Sequence, residues 1–113
     1  MSMHNVMAAL AVRDIEAAGS WFTKLLGRGP TRAPMHGLLE WGFPGGGSLQ
    51  VFEKTERAGL GSITIIEDDL KSRIASLQTA HIRIDREEVS NATSIAVVED
   101  PDGNRIVFAM PRR

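Results

Sequence analysis

The sequence predicts an α+β fold made of two βαβββ modules in a single domain. Three observations carry this expectation. The order strand, aspartate, helix occurs twice, with Leu10/Ile65, Asp14/Asp69, Ile15/Leu70 and Phe22/Leu77 all separated by 55 residues. Each occurrence is followed by short strand-like segments. The last two segments are joined by Asp100-Pro101-Asp102-Gly103-Asn104, in which Pro101 pre-sets one turn position and Gly103 supplies the positive φ that closes a hairpin. The length of 113 residues fits one domain, since domains run to roughly 100–200 residues. The modules are expected at 4–56 and 60–111 within the single domain 1–113, each too small to bury a core alone.

The first module opens on an apolar run at 6–12, expected as a strand. Asp14 then offers its carboxylate to the free amides of the next turn. Ile15, Ala18, Phe22, Leu25 and Leu26 fall on one helical face, and Gly27 can take the left-handed conformation that ends the helix. Strands are expected at 37–43 and 48–52, with a weaker one at 31–35 where Pro30 and Pro34 limit pairing. In the second module the strand is the β-branched run 63–66. Asp68 and Asp69 offer a cap, and Leu70, Ile74 and Leu77 make the apolar stripe of the second helix. Strands are expected at 82–84, 94–99 and 105–110. Matching Leu49-Gln50-Val51 to Ile106-Val107-Phe108 needs an offset of 57 rather than 55; both registers preserve which face each side chain takes.

Composition excludes several classes. Net charge is -1, from 13 basic and 14 acidic residues, so no basic surplus is available to neutralise phosphates, and no nucleic-acid partner is expected. There is no cysteine, which removes disulfide scaffolds, thiolate metal sites and thiol nucleophiles. No apolar run is long enough to span a membrane. The first residues lack a basic region followed by an apolar run, so the expectation is a cytoplasmic protein without a secretory signal.

Leu10-Ala11-Val12-Arg13-Asp14-Ile15, Trp21-Phe22 with Leu25-Leu26-Gly27, Asp68-Asp69-Leu70 and the turn at 100–104 together resemble the vicinal oxygen chelate superfamily. This is the glyoxalase, bleomycin-resistance and extradiol-dioxygenase fold. The resemblance implies a curled, half-open barrel of mixed sheet, helices on its convex face, a pocket on its concave face, and a homodimer. In metal-dependent members His, Glu or Gln from the first and last strands of each module hold a divalent Lewis acid. Carried over singly, those positions fall on Met7, Ser62, Val107, and either Gln50 or Phe52. A thioether suits soft ions only, and valine offers no donor. The departure argues for a member with no metal and no cofactor.

Other candidates have structural explanations. His4, His36 and His81 show no metal-ligand spacing. Asp100 and Asp102 fit a turn, and 83–88 alternates charge as a solvated edge or loop does. Gly45-Gly46-Gly47 precedes no helix, so it suits a tight hairpin or pocket rim rather than a phosphate loop. Ser62, Thr64 and Ser94 have no partner motif for nucleophilic catalysis, and no catalytic residue is expected.

Strand alternation then places the pocket. With Leu10 and Val12 facing the helices, Met7 and Ala9 face away. The same parity adds Gln50 and Phe52, then Ser62, Thr64, Arg105 and Val107. Trp41 and Phe43 share a face, expected to be the concave one. The expected ligand-binding set is therefore Met7, Trp41, Gln50, Phe52, Ser62, Thr64, Arg105 and Val107, an apolar surface with a few polar handles. It implies a small apolar or aromatic ligand, stacked on Trp41 and Phe52 and oriented by Gln50 and Ser62. Two alternatives remain. One is a metal-dependent lyase, dioxygenase or isomerase using Gln50, His4 and a further acid. The other is a dimeric module whose concave face is filled or covers a partner.

Overall fold

A computed structural model describes residues 2–112. The chain forms β1 (Met7–Val12), α1 (Ile15–Leu26), β2 (Arg32–Met35), β3 (Leu38–Gly42), β4 (Ser48–Glu53), β5 (Ser62–Ile66), α2 (Leu70–Thr79), β6 (Arg86–Val89), β7 (Thr93–Glu99) and β8 (Arg105–Pro111). A 3-10 turn, Thr55–Arg57, joins the modules.

Local chemistry explains the helix ends. The Asp14 carboxylate accepts from the amides of Glu16 and Ala17, and Gly27 ends α1 at φ 76°. Asp69 accepts from Ser72 at the start of α2. The second helix has no glycine stop; His81 takes the left-handed turn instead, at φ 59°. This histidine terminates a helix and is exposed.

The strands form two four-stranded mixed sheets, ordered β1-β4-β3-β2 and β5-β8-β7-β6. In each, the first strand runs parallel to the last, and the remaining pairs are antiparallel. Leu10 lies beside Val51, and Ile65 beside Phe108. The first strands therefore correspond at an offset of 55 and the last strands at 57. Leu10, Val12, Phe22, Leu25, Leu77, Ile106 and Phe108 belong to one buried cluster that spans both modules under both helices. The other face of each sheet is open, giving a plate of 42 × 41 × 24 Å rather than a closed barrel.

One expected strand is displaced. The segment 82–84 is not extended ladder; Ile82 is buried in the core, and its amide donates to the Leu77 carbonyl at the end of α2. Pairing with β7 begins when the Asp85 amide reaches the Val97 carbonyl, so the strand falls at Arg86–Val89. The charged run 83–88 thus spans a loop and an exposed edge.

β1 and β5, the inner edge strands, lie side by side without a hydrogen-bonded ladder. At one end of this seam the second module's turn fastens the two. Asn104, fully buried, donates from Nδ2 to the Ala11 carbonyl (2.8 Å) and to Asp100 Oδ2 (2.8 Å), while its Oδ1 accepts from the Gly61 amide (2.9 Å). Asp102 receives both the amide and the guanidinium of Arg13, at 3.1 and 2.9 Å. A Cβ on Gly61 would sit 2.6 Å from Leu10 Cδ2, so a larger residue here would push on the Leu10 side chain. At the other end they part around a cavity of about 520 Å³, bounded by Val6, Ala8, Phe43, Gly47, Ile63 and Ile66.

Candidate functional site

The open face is built by the strand positions that the core does not claim. β1 presents Met7 and Ala9, and β4 presents Gln50 and Phe52, because Leu10, Leu49 and Val51 point to the helices. β5 and β8 likewise present Ser62, Thr64, Arg105 and Val107 opposite Ile63, Ile106 and Phe108. Met7, Ser62, Thr64 and Arg105 are exposed, while Gln50, Phe52 and Val107 are half-buried. The Arg105 guanidinium has no ion pair or ring contact among the described residues.

Trp41 is not on this face. It is fully buried, 6.0 Å from the Phe22 ring of α1, and its indole N–H donates to the Arg28 carbonyl at 3.0 Å. Its cross-strand partner is Leu49, whose side chain is in the core. Phe43 packs on the same side, with the Arg28 guanidinium 5.4 Å from its ring. Alternation correctly showed that Trp41 and Phe43 share a face, but the largest apolar surfaces go under the helix. The expected stacking on Trp41 is therefore corrected.

With that reversal, β3 turns Glu40 onto the open face, where it is paired with Gln50. The Gln50 amide donates to Glu40 Oε2 at 3.0 Å, and the Arg32 guanidinium lies 3.9 Å from Oε1. Glu40 is buried despite its charge. Sequence reasoning missed this pair; its only signal was a carboxylate alternating with Leu39, Trp41 and Phe43 on one strand.

The expected residues do not share one recess. Phe52 borders a space of about 240 Å³ with Ala9, Ala11 and Leu60, and Arg57 lies over its ring at 5.7 Å. Arg105 borders a second of about 450 Å³ with Arg86, Val97 and Glu99. Thr64 lies at the seam cavity. They form a broad surface of separate hollows rather than an enclosed pocket.

The donor set does not fit a divalent Lewis acid. Met7 and Val107 occupy two of the positions, Ser62 a third, and the fourth is Gln50, which holds the place in the first ladder that Val107 holds in the second. Among the described residues no three His, Asp or Glu are grouped to hold an ion. Among the described residues the titratable group with a clear shift is Asp100, away from this face. Burial raises its pKa above 3.8, opposed by hydrogen bonds from Asn104, with Asp102 adding repulsion.

Two four-stranded sheets, each from a βαβββ module, sharing a core and leaving one broad face open, define the class as a duplicated βαβββ fold. Residues 4–108 match the model of the Glyoxalase/Bleomycin resistance protein/Dioxygenase superfamily, and the chain belongs to that superfamily. A glyoxalase / bleomycin resistance protein from Catenulispora acidiphila is similar at 30% identity and TM-score 0.88, with 96% of this chain and 98% of that one aligned. An antibiotic-binding protein from a Streptomyces species shares the fold at 23% identity and TM-score 0.83, over 98% of both chains. A bleomycin resistance determinant encoded on the transposon Tn5 does so at 20% identity and TM-score 0.81, over 98% of this chain and 100% of that one. No curated protein matches the sequence.

Proposed function

We propose that the chain binds a small, largely apolar or aromatic molecule on the open face, without a metal ion. The observation that supports this best is the face itself: half-buried Phe52 and Val107 and exposed Met7, interleaved with Gln50, Ser62, Thr64 and Arg105, uncovered within one chain. Solved structures of this fold include a bleomycin-binding protein in complex with bleomycin, a first probe for this chain. Because the hollows are shallow in one chain, the reading includes a homodimer whose second copy deepens them. It also includes a cytoplasmic location; among the described residues no helix is long and apolar enough to cross a membrane.

The test is calorimetric titration of bleomycin and a panel of planar aromatic compounds, with light scattering for oligomeric state. The expected result is saturable binding that Phe52→Ala weakens at least tenfold. Binding indifferent to Phe52→Ala and to Val107→Asp overturns the placement.

A metal-dependent lyase, dioxygenase or isomerase is a second reading, favoured by one observation: Glu40 supplies an acid directly beside Gln50. Stoichiometric uptake of Ni²⁺, Mn²⁺ or Zn²⁺, lost in Gln50→Ala and in Glu40→Ala, would overturn the metal-free reading and establish the metal site that this second reading needs. Absence of specific uptake supports the metal-free reading.

A further inference from the structure

The duplicated fold contains its own control for Glu40. The pair Glu40–Gln50 on β3 and β4 stands where β7 and β8 have Val97–Val107, since Gln50 lies beside Ala9 of β1 as Val107 lies beside Thr64 of β5. The second module fills these ladder positions with two valines. The fold therefore requires no charge there.

A buried carboxylate is costly unless its acceptor sites are met. The Glu40 side chain is only 10% exposed, yet its one close donor is the neutral Gln50 amide. Its other oxygen has only Arg32, at 3.9 Å, on an edge strand and 66% exposed. That distance exceeds the 2.7–2.9 Å or so of a formed charge-assisted hydrogen bond. Arg32 thus pairs with Glu40 only as a long, exposed ion pair, without a close hydrogen bond.

From this we infer that Glu40 is a specificity-determining carboxylate for a ligand bearing a cationic nitrogen on an aromatic body, such as an amidinium, guanidinium or ammonium group. Arg32 is the internal placeholder the ligand displaces. Gln50 holds the carboxylate in place through its N–H and leaves its own oxygen to accept a second ligand N–H. The apolar body lies toward Phe52, two residues along the same strand and on the same face. This inference rests on the small-molecule reading of the open face and adds the charge of the ligand.

The test uses benzamidine and its neutral analogue benzamide as probes, followed by two-dimensional NMR on the intact protein. Benzamidine is expected to bind about tenfold more tightly than benzamide, the factor one charge-assisted contact supplies. It should shift the Gln50 side-chain amide signals. Glu40→Gln, which keeps the volume, should equalise the two probes, and Arg32→Gln should tighten benzamidine several-fold. Equal binding of both probes on the open face, or a preference that survives Glu40→Gln, overturns the inference while leaving the small-molecule reading intact. Binding of neither probe, nor of any aromatic compound, overturns both. If Glu40→Gln changes the sedimentation of the protein but not the probe preference, the carboxylate serves a second copy's cation instead and the inference fails.

Discussion

The two hairpin turns that end the modules have the same backbone and different side chains. In the first, the Phe43 amide donates to the Gly47 carbonyl and the Gly46 amide to Phe43, each at 2.9 Å; Gly46 has φ 106°. In the second, Asp100 and Asn104 exchange the same bond, Gly103 donates to Asp100, both at 2.9 Å, and Gly103 has φ 102°. The first is Phe-Pro-Gly-Gly-Gly and carries no polar side chain. The second is Asp-Pro-Asp-Gly-Asn, and three of its side chains reach inward or across the seam. The seam is closed where the second turn meets it and open, around the 520 Å³ cavity, where the first does. One backbone solution thus serves as a fastener or as a bare rim depending on its side chains. The open face repeats the lesson, with Glu40–Gln50 in one module and Val97–Val107 in the other.

The largest expected effect tests which face β3 presents. Trp41→Ala should destabilise the fold by about 3–5 kcal/mol in denaturant titration, as core aromatic truncation does, whereas Phe52→Ala on the open face should cost far less. A Trp41→Ala protein of unchanged stability would return Trp41 to the open face. Next comes the fastener. Asn104→Ala removes hydrogen bonds to Ala11, Asp100 and Gly61 and leaves buried groups unsatisfied, which should cost about 2–4 kcal/mol. The corresponding Gly47→Ala should stay within about 1 kcal/mol of the parent in the same assay, since its Cβ would meet only the Val6 carbonyl at 4.0 Å. Equal costs would show that the turns, not their side chains, hold the modules.

Copying the second module onto the first by Glu40→Val with Gln50→Val should leave thermal stability unchanged or raise it slightly, because well-packed apolar residues commonly match a buried charge. A large loss would mean the polar pair is structural. The smallest effect concerns pH. Burial raises the Asp100 pKa above 3.8, so its charged form is less favourable in the folded than in the unfolded state. As pH falls through that raised pKa toward 3.8, the folded state takes up a proton before the unfolded one does. The parent should therefore gain stability relative to Asp100→Asn across that window, measured by denaturation at stepped pH. A constant difference would contradict the shift.

Much of the fold was legible because its signals are local. Asp14 and Asp69 cap helices through amides within three residues, Gly27 ends a helix by its own φ, and the 55-residue repeat exposes the duplication. The open-face positions of Met7, Gln50, Ser62 and Val107 followed from alternation. Alternation is silent on which side of β3 meets α1, and the structure puts Trp41 on the helix side rather than the expected concave one. Ile82 gave a strand-like signal but is claimed by the core beneath α2.

By itself the sequence determined the two modules, their caps and turns, the absence of thiol chemistry and the poor donor set at the metal positions. These depend on residue identity and short spacing. Tertiary structure alone decided that Trp41 is buried, that Glu40 meets Gln50, that the last strands correspond at 57 residues, and that Asn104 bridges to Ala11. Each of those depends on how sheet and helix surfaces pair across tens of residues, where apolar area competes for one core and local periodicity does not say which face wins.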